Sequence, residues 1–199
     1  MAGLHSDGWC LGLSALYALC CLPKQPAQTT EPFPKLSLLA SVEKMKGVGS
    51  AVYPYLSQEW FWENYNNLMC GVSLKKFSPE KRAHLSMFAN LIHYLDSIDA
   101  QPSQEVVDYL GFPVKVIDQV HFWKLKEKNI KNLLENNMKT GYPFVFSAHE
   151  HAVCLKGIDK KMLYFMILMK ESSDCLEQIL FWKDGQKDVI LQNMKMKII

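Results

Sequence analysis

The chain has 199 residues, of which 49% are apolar, so it is long enough to form one domain with a substantial hydrophobic core. Its formal net charge is +2 and its lysines are scattered, which gives no basis for nucleic-acid or membrane binding. The six cysteines include no CxxC pair, which argues against a zinc ribbon and favours buried, reduced thiols in a reducing compartment.

The first part of the sequence predicts helices. Residues from Cys10 to Cys21 are apolar on nearly every side, which indicates a central buried helix that Pro23 ends. This run is too short to span a bilayer, and no Lys or Arg precedes it as in a signal peptide, so we expect a soluble protein without a membrane span. Further helices are predicted at Leu36–Met45, at Glu59–Met69, from Ser78-Pro79 through Leu95, and from Ser103 to Gly111.

The last part of the sequence predicts a sheet. A strand at Pro113–Val120 and an amphipathic helix at Trp123–Met138 come first. Short apolar runs separated by turns then predict antiparallel hairpins, at Phe144–Phe146, His151–Leu155, Met162–Met169, Gln178–Trp182 and Val189–Leu191. We therefore expect an α+β fold in a single domain of residues 1–199. Its mainly helical lobe is predicted at 1–140 and its mainly β lobe at 141–199.

Two residues suggest a nucleophilic site between these lobes. Cys10 follows the turn Asp7-Gly8 and begins the buried helix, where open backbone N–H groups and the helix dipole favour the reactive thiolate. His151 begins an apolar strand far downstream. A thiol and an imidazole brought together in a cleft form a Cys/His nucleophilic site.

A metal site at the same strand is the alternative for the histidines. His149 and His151 are two positions apart, so both can lie on one face of a strand. A third or fourth ligand is not evident in the sequence. We therefore expect no metal and no cofactor, and we assign the catalytic base to His151.

The chain resembles the papain-like cysteine peptidases in three blocks covering about thirty residues. The first is Cys10-Leu11-Gly12-Leu13-Ser14-Ala15, which is similar to the family's nucleophile helix and to the Cys-x-Gly-Leu-Ser motif of compact bacterial effector proteases. The second is His151-Ala152-Val153, like the family's histidine strand. The third is the apolar run before Lys170 and Glu171.

This resemblance implies a papain-like fold and a catalytic triad of Cys10, His151 and Glu171. The family places Asn or Asp where this chain has Glu171, so Asp174 and Asp159 remain alternatives for the third member. The family's glutamine donor to the oxyanion is missing, since Leu4 and His5 stand in that region. Backbone N–H groups near Cys10 would replace it, as in the similar Asp-Gly-x-Cys turn of ovarian-tumour-type deubiquitinases.

The expected function is therefore that of a cysteine protease, a thiol-dependent hydrolase of peptide or isopeptide bonds. The resemblance implies a pathogen effector, secreted by a bacterium into the host cytosol, with ubiquitin conjugates or another host protein as substrate. An acyltransferase or transglutaminase-like activity is a second reading, because a Cys/His site can pass an acyl group to an amine. A non-catalytic interaction domain that retains the fold is a third.

Overall fold

The computed structural model describes residues 9–23, 32–69, 71, 73–97, 104–116, 132, 136, 142–148, 151–159, 162–166 and 179–181. The helices of these residues are α1 (Cys10–Cys21), α2 (Val42–Met45), α3 (Val48–Val52), α4 (Gln58–Met69), α5 (Pro79–Ser97) and α6 (Gln104–Leu110). Single 3-10 turns lie at Tyr53–Tyr55 and Leu74–Lys76. The strands are β1 (Phe144–Ala148), β2 (His151–Asp159), β3 (Met162–Met166) and β4 (Ile179–Phe181).

Helix α1 is the central element, as its uniformly apolar sequence predicts. Leu16 and Tyr17 are at most 1% exposed, and α4, α5 and β2 all pack against the helix. The edge of the Tyr17 ring contacts Phe61 of α4 at a centroid distance of 5.0 Å. A helix that is apolar on every side requires such neighbours all round, and here it has them.

Serine caps fix the starts of α4 and α5. The Ser57 hydroxyl accepts a hydrogen bond from the backbone N–H of Trp60 at 2.9 Å, and the Ser78 hydroxyl accepts one from Lys81 at 3.2 Å. Pro79 is the first residue of α5, where its fixed φ suits the helix and its missing N–H has no cost. The predicted helix start at Ser78-Pro79 is confirmed.

The strands pair in the order β1-β2-β3-β4, and all neighbours are antiparallel. In the first hairpin Ser147 lies opposite Ala152. The second strand, β2, packs directly on α1: Ala152 is 2% exposed, and Cys154 is fully buried in the same core as the α1 residues.

The predicted α+β, papain-like fold, with an N-terminal helical lobe and a C-terminal β-sheet lobe, is wrong. The part of the chain that the structure describes is predominantly helical, and its residues from 9 to 116 contain no strand. The strands after residue 143 do not establish a second lobe: Cys154 belongs to the core around α1, and the buried Ala152 accepts a hydrogen bond from Ser14 of that helix. The single domain of residues 1–199 stays a prediction.

The strand predicted at Pro113–Val120 is absent from its described part, residues 113–116. The backbone N–H of Val116 donates instead to the side-chain oxygen of Gln104 at 2.6 Å, so α6 satisfies it in place of a neighbouring strand. The helix predicted at Trp123–Met138 lies outside the described residues apart from positions 132 and 136, which are helical. Among the described helices, none is long and apolar enough to cross a membrane.

Candidate active site at the start of helix α1

Cys10 is the first residue of α1 and is partly exposed, as the nucleophile hypothesis requires. Trp9 precedes it as the N-cap residue but provides no side-chain cap, so the first turn depends on other groups for its N–H partners. Cys10, Cys20, Cys21 and Cys154, the described cysteines, form no disulfide. Cys20 and Cys154 are buried, which leaves Cys10 and Cys21 as the accessible described thiols, one at each end of α1.

The first turn of α1 is not open, contrary to our expectation from the sequence. Asp96, near the end of α5, accepts a hydrogen bond from the backbone N–H of Gly12 through Oδ1 at 3.1 Å, and the N–H of Leu11 also interacts with this carboxyl. Asp96 therefore caps α1 from another helix. Its negative charge occupies the place where the helix dipole would otherwise favour a thiolate.

Burial raises the pKa of the Asp96 carboxyl above its ordinary value. The N–H groups of Gly12 and Leu11 act in the opposite direction, as does the nearby His93, which is exposed on α5. The net direction means that desolvation of the charged form outweighs the hydrogen bonds that stabilise it. Asp96 thus caps the helix while remaining easier to protonate than a solvated aspartate.

A buried hydrogen bond places the start of β2 beside α1. The hydroxyl of Ser14, which is fully buried, donates to the backbone carbonyl of Ala152 at 3.0 Å. Ser14 is one helical turn after Cys10, on the same side of α1, and Ala152 directly follows His151. The structure therefore brings the two sequence segments that carry Cys10 and His151 into contact. The side chain of His151 lies outside the described part of the chain.

Of the three candidates for the third member of the triad, Asp159 alone lies among the described residues. Glu171 and Asp174 lie outside the described residues, as does His149, so the role of Glu171 stays a prediction. Asp159 is the last residue of β2, eight positions after His151, with its backbone opposite Met162. At about 3.3 Å per residue the two are about 25 Å apart, which excludes Asp159 as a partner of His151.

The sequence alone gave no role in this site to Asp96 or to Ser14. Asp96 is 84 positions from Gly12, and Ser14 is 138 positions from Ala152, so no local pattern connects either pair. A polar Ser14 in the otherwise apolar α1 was the available signal, since a buried hydroxyl needs a partner. Asp96 gave no comparable signal, because an aspartate near a helix end is ordinarily solvated.

The described residues contain no group of three or more His, Cys, Asp and Glu side chains that could hold a metal ion. No protein-family model, curated protein or solved structure matches the chain.

Proposed function

We propose that the protein is a thiol-dependent hydrolase of peptide or isopeptide bonds, in which Cys10 is the nucleophile and His151 the general base. The observation that carries this proposal is the hydrogen bond between Ser14 and Ala152. It connects the first turns of α1 to the first residues of β2, which is the juxtaposition that a Cys/His pair needs.

The reaction would take two steps. The Cys10 sulfur attacks the carbonyl carbon, while His151 accepts the thiol proton and then gives it to the departing amine, so that an acyl thioester remains. Water, deprotonated by His151, next attacks the thioester and releases a carboxylic acid and the Cys10 thiol. Glu171 would orient the imidazole and stabilise its charged form in both steps.

The substrate we favour is a folded protein, such as a ubiquitin conjugate or another host protein. A docked protein supplies binding energy away from the scissile bond that a short peptide lacks. On this proposal the protein acts in a reducing compartment such as the host cytosol, which agrees with the absence of a disulfide among Cys10, Cys20, Cys21 and Cys154.

The position of Asp96 favours a second candidate, a non-catalytic interaction domain. A carboxylate on the N–H groups of Leu11 and Gly12 satisfies them and disfavours a second negative charge beside them. An α1 start built only for stability would have this arrangement. Under the hydrolase proposal His151 must therefore supply the positive charge that the helix end does not.

Site-selective alkylation distinguishes the two candidates. We expect iodoacetamide at about pH 6.5, below the ordinary thiol pKa, to modify Cys10 faster than Cys21, the matched partly exposed thiol at the other end of α1. His151→Ala should remove this advantage, since it deletes the ion-pair partner of the thiolate, and His149→Ala should retain it.

Substrate cleavage completes the test. The hydrolase proposal predicts slow turnover of short fluorogenic peptides, faster turnover of a protein substrate such as ubiquitin conjugates, and no activity in Cys10→Ala. Equal labelling of Cys10 and Cys21, unchanged in His151→Ala and accompanied by no cleavage, would instead establish the interaction domain. Loss of the Cys10 advantage in His149→Ala alone would move the base to His149.

A further inference from the structure

Three large apolar side chains are exposed within five positions of the chain. Leu38 is 40% exposed, Leu39 55% and Val42 52%. Tyr142 is the other large hydrophobic residue exposed to this degree in the described part of the chain. Single exposed apolar residues are ordinary on protein surfaces, but a cluster of them marks an interaction site. We call the segment of residues 37–42 the leucine turn.

The leucine turn is held in shape by a buried side chain. Asn90 of α5 is 2% exposed; its Oδ1 accepts from the backbone N–H of Ala40 at 2.6 Å, and its amide donates to the carbonyl of Ser37 at 2.8 Å. The side-chain amide of Asn90 thus hydrogen-bonds to the backbone at two points of the turn, Ser37 and Ala40. Leu39 has a φ of 56°, a left-handed conformation that is unfavourable for leucine. The surrounding contacts hold the two leucines outward in spite of that strain.

The far end of the leucine turn is anchored as well. The hydroxyl of Tyr109 in α6 donates to the carbonyl of Val42 at 3.0 Å. Met45, three residues further, is 1% exposed and belongs to the core. The exposed side chains therefore stand on a fixed backbone, and little conformational entropy would be lost when they are covered.

Exposed lysines flank these apolar residues in the sequence. Lys35, Lys44 and Lys46 are all exposed, and Glu43 is the one acidic residue between positions 35 and 46, which gives the segment a net charge of +2. The net charge of the whole chain, which is also +2, gives no indication that lysines are concentrated in this segment. Exposed apolar side chains next to lysines are typical of surfaces that enter the headgroup region of anionic bilayers.

We propose that the leucine turn is a membrane-surface contact, in which Leu38, Leu39 and Val42 enter the interface of an anionic bilayer. The three lysines bind the lipid headgroups. Exposed apolar side chains on a fixed backbone can enter a deformable lipid surface, and the three lysines favour negatively charged lipid. This contact lies on residues other than those of the proposed catalytic site and does not depend on its activity.

Vesicle flotation tests the proposal. We expect the full chain to float with phosphatidylcholine vesicles that contain about 30% phosphatidylserine and to bind pure phosphatidylcholine much more weakly. Leu38→Ser should weaken the binding about tenfold, as expected for the loss of one buried leucine. Leu39→Gly should do the same while keeping or improving thermal stability, because glycine accepts a positive φ. A thermal melt thus separates lost binding from lost folding.

Matched surface variants are the controls. Tyr142→Ser, which removes an exposed apolar residue elsewhere, and Lys75→Gln/Lys76→Gln, which removes two exposed lysines elsewhere, should bind as the wild type does. Lys44→Gln/Lys46→Gln should lose binding. No flotation with either vesicle overturns the proposal, and so does equal binding to both. Dimerisation in sedimentation velocity that Leu38→Ser abolishes, without lipid binding, would show that a second copy covers the leucine turn instead.

Discussion

Gly12 of α1 lies directly against the backbone of Ile92 in α5. A Cβ added at Gly12 would overlap the carbonyl oxygen of Ile92 and come within 3.0 Å of the Asp96 Cβ. The two helices can approach this closely only because Gly12 has no side chain. This approach brings Asp96 into hydrogen-bonding reach of the first turn of α1.

Gly12→Ala should therefore destabilise the protein by about 2–3 kcal/mol, as overpacked core substitutions do. Helix propensity alone predicts the opposite, a gain of up to about 1 kcal/mol for alanine over glycine in a helix. Urea denaturation followed by circular dichroism measures the sign. Gly71→Ala is the control, since its added Cβ meets open space and its φ of 62° gives only backbone strain. A stabilised Gly12→Ala protein would contradict the close approach of α1 and α5.

Ser14→Ala should destabilise the protein by about 1–3 kcal/mol, because it leaves the carbonyl of Ala152 without its hydroxyl donor. It should also reduce the alkylation advantage of Cys10 over Cys21, since it loosens the start of β2 from α1. Ser86→Ala is a matched buried control, because Ser86 contacts Asn90 through its backbone carbonyl. If Ser14→Ala lost stability but left Cys10 labelling unchanged, the hydrogen bond would be structural only.

The sequence predicts those parts of the fold that are determined locally. α1 and the start of α5 follow from an apolar run and from Ser78-Pro79, and the structure confirms both. The helix predicted at Leu36–Met45 begins only at Val42, because Asn90 fixes the preceding turn from 50 positions away. No local sequence pattern predicts a hydrogen bond between residues this far apart in the chain.

For the candidate site too, the sequence predicts the local features but not those that depend on distant residues. The position of Cys10 at the start of a buried helix is a local property and was predicted correctly. Its electrostatic environment is not local, since Asp96 approaches from the end of α5. The expectation of open N–H groups failed for that reason. Packing between α1 and β2 is likewise long-range, so no local pattern predicts it.

Asp96→Asn should increase the alkylation rate of Cys10 at pH 7 by about three- to tenfold, because it removes a negative charge from the N–H groups of the first turn of α1. Asparagine retains an oxygen that can accept from the N–H of Gly12, so α1 stays capped. The rate of Cys21 at the opposite end of the helix should not change. A slower reaction of Cys10 in Asp96→Asn would show that Asp96 assists the thiol instead of opposing it.

The pH dependence of stability provides an independent check on Asp96. Because the pKa of Asp96 is raised in the folded protein, its contribution to stability is present at low pH and is lost as the pH rises through that pKa. Asp96→Asn does not titrate, so its stability relative to the wild type should improve from acidic to neutral pH. Thermal melts across this range measure the difference, and a trend in the opposite direction would contradict burial as the dominant influence.

His84 of α5 should make the protein sensitive to mild acid. The indole N–H of Trp60 donates to Nδ1 of His84 at 2.8 Å, and the imidazole stacks on Phe33 with 3.7 Å between ring centroids. His84 is partly buried. Burial lowers its pKa from the ordinary 6.5, against the opposing charges of Glu80 and Glu63. Protonation of Nδ1 would turn the acceptor into a second donor facing Trp60.

The sign of the effect follows from the lowered pKa. The unfolded chain binds a proton at His84 more readily than the folded protein does, so stability falls as the pH drops below about 6.5. His84→Asn keeps an acceptor oxygen near the position of Nδ1 without titrating, and it should lose less stability between pH 7.5 and pH 5. Because the ring is partly exposed and screened, we expect a difference of under about 1 kcal/mol, measurable in parallel urea titrations. Identical pH profiles for the two proteins would show that the Trp60–His84 hydrogen bond has no part in acid sensitivity.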